Sequence, residues 1–192
     1  MATKQPKPFK VIRWFDLVRD SAKLDPEQDD DHPLQPLIEA VMGAAAYYAE
    51  AKADADNHLV PVGKLPQLLA ETTGLAYFYN GIHTDALQVR KWLEILLEGT
   101  KAERYVWLTT DSNAKVEYGK LTATEVNNHI KADETVQLLS DMIRVIADRQ
   151  HILEDVREGF TSRSIMLSKI VDVRVAGLEE VWVNGLQETR ND

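Results

Sequence analysis

The chain has 192 residues, 44% of them hydrophobic, which is enough for one domain with a sizeable core and excludes bulk disorder. Acidic residues outnumber basic ones 31 to 22, a formal net charge of −9. That balance argues against indiscriminate, charge-driven binding of nucleic acid and leaves room for a local basic site. There is no cysteine, so a disulfide framework, a thiolate nucleophile and a Cys metal site are all excluded.

Residues 1–10 read as a loose tail carrying Lys4, Lys7 and Lys10 together with Pro6 and Pro8. No apolar stretch of signal-peptide length follows, and none is long enough to span a bilayer, so the expectation is a soluble, cytoplasmic protein without a membrane partner. Residues 11–23 place Val11, Ile12, Trp14, Phe15, Leu17 and Val18 at the spacing of a short amphipathic helix. The segment from Asp25 to Pro36 holds three prolines and the run Asp29, Asp30, Asp31, which reads as a solvated loop because adjacent carboxylates repel. Leu37 to Asp56 is alanine-rich and predicts a helix. A connector with Pro61 and Gly63 follows.

From Leu65, apolar or small residues recur with alternating steps of three and four: Leu65, Leu68, Thr72, Leu75, Tyr79, Ile82, Ala86, Val89, Leu93, Leu96 and Thr100. This is the seam of a coiled coil or helical hairpin. Gly74, Gly81 and Gly99 are each about 1 kcal/mol worse than alanine in a helix and predict either close approach of a neighbour or a bend. Thr109 to Lys120 is polar and predicts the connection of the hairpin. Thr122 and Glu125 fit a capping box, opening a second long helix from about Ala123. Its apolar positions are Val126, Ile130, Val136, Leu139, Ile143, Ile146, Leu153, Val156 and Phe160. Gly159, Thr161 and Ser162 suggest a bend, and residues 163–183 read as a third helix or, over Val171 to Val175, as a strand.

These elements predict an all-α fold built on a long antiparallel, coiled-coil-like helical hairpin over residues 64–160. N-terminal helices occupy 11–63, and a C-terminal assembly segment occupies 161–192. Signatures of chemistry are sparse. No phosphate loop or metalloprotease motif occurs, and no two of His32, His58, His83, His129 and His151 lie three or four residues apart. Neither catalysis nor a cofactor is expected. One cluster stands out. Lys101, Arg104 and Trp107 recur every three residues on one helix face with Tyr105 beside it, a set whose cations suit phosphates and whose rings suit bases. The same four residues also admit an ordinary structural reading, with the rings in the core and the cations paired to Glu98 and Glu103.

Several stretches, in order, resemble the phage recombination mediators of the UvsY type. FDLVRDSAKLDP is similar to the opening acidic helix of that family, and KLPQLLAETTGLAYFYN to the start of its first long helix. KAERYVWLTT resembles the basic-then-aromatic close of that helix. IKADETV resembles the opening of the second long helix, and ILEDVREGFTSRSIMLSK the later stretch with an Arg and a Lys. The likeness covers about residues 15 to 180. It implies a homo-oligomeric ring that binds single-stranded DNA and helps load a recombinase onto DNA coated with single-strand DNA-binding protein. On that resemblance the DNA contacts are Arg104, approximately Lys101, the aromatic pair Tyr105 and Trp107, Arg163, and Lys169, which is offset by one from the family position. Residues 35–61 look like an insertion, the net charge is more acidic than that of the family, and no Lys or Arg lies between Lys64 and Arg90. The competing expectation is a helical structural or adaptor protein of a phage virion with no nucleic-acid role.

Overall fold

The computed structural model describes residues 12–22, 34–58 and 65–188, and the side-chain surroundings of all of these except 65–66 and 178–188. The expected tail, the Asp29–Asp31 loop and the Pro61–Gly63 connector lie outside the described residues. The fold is all-α. Six helices run in order among the described residues: α1 (Trp14–Ser21), α2 (Gln35–His58), α3 (Leu65–Thr110), α4 (Ser112–Tyr118), α5 (Ala123–Ala132) and α6 (Glu134–Glu188).

Helices α3 and α6 form the hairpin. Thr73 faces Ser164, Tyr79 faces Phe160, Arg90 reaches Gln150 and Arg104 reaches Asp133, so the two run antiparallel. The heptad spacing is buried as a seven-residue repeat on both strands of the seam. Thr72, Tyr79, Ala86 and Leu93 on α3, and Leu139, Ile146, Leu153 and Phe160 on α6, are each no more than 1% exposed. Near the end of α3 the buried residue is Leu97 rather than the expected Leu96. A helix of 3.6 residues per turn drifts about 20° per heptad, and over several heptads that moves the seam to the next residue.

The alanine-rich helix α2 lies chiefly along α6. Its short side chains Ala44, Ala51 and Ala55 are fully buried and let the backbones approach closely. Tyr79 ties the three long helices together. Its ring stacks on Phe160 at 5.1 Å and 6°, and its hydroxyl donates to Asp54 of α2 at 2.9 Å. One hydrophobic core therefore runs from Val18 to Phe160, shared by the N-terminal helices and the hairpin.

Helix α1 is held by an unusual cap. Its own N-cap residue, Arg13, contributes no side-chain hydrogen bond. The buried carboxylate of Asp85, on α3, takes that place: it accepts from the backbone N–H groups of Trp14 (3.0 Å) and Phe15 (3.2 Å), and from the Tyr48 hydroxyl (2.8 Å). Orphan donors and the positive end of a helix dipole thus compensate a charge taken out of water. Burial and the neighbouring Asp85 push the Tyr48 hydroxyl well above its ordinary range, keeping it a donor. Trp14 then packs its six-membered ring against Gly43 of α2. A Cβ at Gly43 would meet the indole at 2.6 and 2.8 Å, so α1 docks where α2 has no side chain.

Several expectations are corrected. The connection at 109–120 is not a plain polar turn; it contains α4, capped by Asp111, whose side chain accepts from Asn113 N–H at 2.7 Å. Gly119 closes α4 at φ +73°, a conformation that disfavours side chains. The Thr122–Glu125 capping box is present, but the helix it opens ends at Ala132, and a second start at Glu134 begins α6. Among the described residues no separate third helix or strand follows Gly159, because α6 is one helix to Glu188. Gly74, Gly81 and Gly99 face open space, with nothing within 4 Å of where a Cβ would stand, so they serve no close approach, and α3 passes through all three.

Candidate nucleic-acid interface

The clustered residues sit on the last three turns of α3, where the hairpin turns over. Lys101 is half-buried, and its ammonium pairs with Glu98 at 2.8 Å, one of the two partners expected of the structural reading. Arg104 does not pair with Glu103. Its Nε meets Oδ2 of Asp133 at 3.0 Å, and its guanidinium lies over the Trp107 ring at 4.4 Å. Trp107 is half-buried and meets Tyr118 edge-on at 6.2 Å, and Tyr118 in turn lies 4.7 Å from His129. Tyr105 is 48% exposed and so belongs to the surface rather than the core.

Asp133 explains why this arrangement is fixed. It stands at the break between α5 and α6, with its carboxylate side chain 15% exposed. One oxygen accepts from Val136 N–H at 3.3 Å and caps α6; the other holds Arg104. The break in the second arm thus supplies the group that orients the cation of the first. With Nε engaged, the two terminal nitrogens of Arg104 make no hydrogen bond to the described residues. A guanidinium held this way presents a planar pair of donors suited to a phosphate, on an aromatic platform. Glu117 beside the Tyr118 hydroxyl pushes its pKa up, so the ring stays neutral next to the cation.

Arg163 and Lys169 are not part of this cluster. Thr73 and Ser164 face each other at the opposite end of the hairpin, 31 residues of α3 away from Arg104, which is roughly 45 Å of helix. There Nη1 of Arg163 donates to the carbonyl of His58 at 2.9 Å, closing the C-terminal end of α2. Lys169 is exposed on α6. The six sequence-selected residues therefore fall into two groups at opposite ends of the hairpin. Sequence reasoning missed Asp133, Tyr118 and His129 as members of the first group. An Asp followed at once by Glu134 is a helix-start signal, and it marks the break that brings Asp133 to Arg104.

No helix among the described residues is long and apolar enough to cross a membrane. Comparison of the chain with protein-family models, with curated proteins and with solved structures gives no match in any of the three.

Proposed function

We propose that this chain is a homo-oligomeric accessory protein of recombination that binds single-stranded DNA and helps load a recombinase onto DNA coated with single-strand DNA-binding protein. The observation that carries the reading is Arg104, oriented by Asp133 on the face of Trp107 with its terminal nitrogens unbonded among the described residues, beside the exposed ring of Tyr105. Cations for phosphates next to rings for bases are the elements of sequence-tolerant single-strand binding. The ordered resemblance to UvsY-type mediators supplies the biological setting, with the hairpin as its scaffold. The net charge of −9 makes each site weak on its own, and an oligomer multiplies weak sites into useful affinity. Assembly falls to the second half of α6, where Ile165, Met166, Ile170, Val173 and Val175 are exposed at 40 to 72%.

The test is fluorescence anisotropy of the purified protein with a labelled oligo-dT strand and its duplex, at several salt concentrations. The strand is expected to be preferred, with affinity falling as salt rises. Arg104→Ala and Tyr105→Ser should each weaken strand binding about tenfold, the worth of one stacking or phosphate contact of 1–3 kcal/mol. Tyr105→Ser guards against misfolding, since that ring is exposed. Equal binding of strand and duplex at low salt, or wild-type affinity in both variants, overturns the reading. The ion pair of Lys101 with Glu98 favours a second reading, a helical adaptor with no nucleic-acid role, for which both variants behave as wild type.

A further inference from the structure

Beyond Arg104 the hairpin tip folds back on itself, and the fold-back leaves a hollow of about 490 Å³ between the end of α3, α4 and the start of α5. Its floor is aliphatic: Leu108 (4% exposed) and Val126 (3% exposed), with Leu121 packed against the same core. Its rim carries Lys115 and Lys120, both exposed. Neither lysine has a carboxylate within ion-pair distance among the described residues; the ammonium of Lys115 reaches only the carbonyl of Thr110, at 3.3 Å. Lys101 and Arg104, a few turns away, are both paired. The hollow therefore joins an apolar floor to two cations that no carboxylate among the described residues neutralises, in a protein whose overall charge is −9.

The lining chemistry separates possible occupants. A nucleobase wants a ring to stack on or a polar edge to read, and the floor has neither. Thr109, at the mouth, has its hydroxyl already committed to the carbonyls of Tyr105 (2.8 Å) and Val106 (3.2 Å). A leucine or phenylalanine side chain fits an aliphatic floor of this size, and carboxylates flanking it meet the two lysines. The rest of an acidic surface repels such a ligand, which confines it to this spot.

We infer that the hollow bounded by Leu108, Val126, Lys115 and Lys120 is a docking site for an acidic peptide segment of a partner protein, anchored by one large apolar side chain between carboxylates. This site uses none of the residues assigned to DNA, so it stands or falls separately from the reading of Arg104.

The experiment uses the full chain and a labelled twelve-residue peptide of Asp and Glu around a central Leu-Phe pair, followed by anisotropy at low salt. A second peptide with Ser-Ser at the centre reports the apolar anchor, and unlabelled oligo-dT reports competition. The Leu-Phe peptide should bind about tenfold or more tightly than the Ser-Ser peptide, the difference expected for burying large apolar side chains. Lys115→Glu combined with Lys120→Glu should lower that affinity at least tenfold by replacing attraction with repulsion, and Thr109→Trp should block it by filling the mouth. Circular dichroism confirms that each variant keeps its helices, and Arg104→Ala should leave peptide binding unchanged. Equal affinity for both peptides, or peptide binding that survives the lysine reversal, overturns the inference. So does competition by oligo-dT that both tip variants abolish, which makes the hollow a nucleotide site. A fall in native mass caused by the lysine reversal also overturns it, because the tip is then a contact between copies of the chain.

Discussion

The two halves of α6 carry the same kind of apolar repeat and meet different surroundings. From Val136 to Phe160 the repeat is covered by α3 and α2, and its seam positions are buried to a few per cent. From Thr161 to Gly177 no side chain is buried, although Ile165, Met166, Leu167, Ile170 and Val171 continue the apolar content. Two losses of cover account for this: the described part of α2 ends at His58, which meets Arg163, and farther along α3 itself runs out. In the antiparallel register the first residues of α3 lie opposite about residue 173, so α6 continues about 15 residues, roughly 22 Å, past its partner. Helix content alone does not distinguish a covered stretch of helix from an uncovered one; the extent of the neighbouring helices does.

The largest effect breaks the covered half. Phe160 is fully buried and stacked on Tyr79, so Phe160→Ala should cost about 3–5 kcal/mol through lost burial and the cavity left behind. Val173, 72% exposed in one protomer, sharpens the contrast: Val173→Ser should leave protomer stability in urea within about 0.5 kcal/mol of wild type. On the proposed assembly reading it should instead lower the mass seen by sedimentation. If Val173→Ser destabilises as strongly as Phe160→Ala, the two halves do not differ as described.

A smaller effect comes from the helix that covers the other side of the core. Gly43→Ala puts a methyl against the Trp14 ring, where two ring atoms already lie 2.6 and 2.8 Å from the Cβ position. Displacing Trp14 should cost about 1–3 kcal/mol, the usual penalty of overpacking. The same shift should also change tryptophan fluorescence in the native state, because the indole Nε1–H is buried with no protein partner among the described residues. An unchanged emission spectrum and unchanged urea midpoint would show that α1 rides over Gly43 with slack.

The contrast also explains what could be read in advance. The seam from Thr72 to Leu93 was legible because its heptad repeat is periodic over many turns and needs no knowledge of the partner. The continuity of α6 was not, because Ile170, Val171, Val173 and Val175 locally favour a strand, while helix propagation from a packed first half overrides so weak a preference. Gly159, facing open space, is tolerated for a similar reason. At the candidate site, Arg104 and Trp107 were legible as neighbours one turn apart. Asp133 lies 29 residues beyond Arg104 and reaches it only because the chain turns back through α4 and α5. The partner of Arg163 is a backbone carbonyl on α2, and no pattern local to either residue signals that meeting.

The gentlest probe of the covered half is pH. His83 sits on the buried side of α3, 7% exposed, with its Nε2 lacking a protein partner among the described residues. Burial lowers its pKa first, and the Arg157 guanidinium across the seam lowers it further, while Glu154 opposes both. The folded protein therefore holds His83 neutral at a pH where the unfolded chain, with an ordinary histidine pKa of about 6.5, already binds a proton. Its neutral form is fully accommodated above that pH, and stability falls as the pH drops through and below it, levelling off once the folded-state histidine also protonates. His83→Gln removes this titration while keeping a polar side chain of similar reach. Urea midpoints measured between pH 7.5 and 5 should decline less steeply in the variant than in wild type, once the shared titration of the other histidines is subtracted. Parallel declines would mean that His83 takes up its proton in the folded state as readily as in the unfolded one, and that the seam admits a charge at this depth.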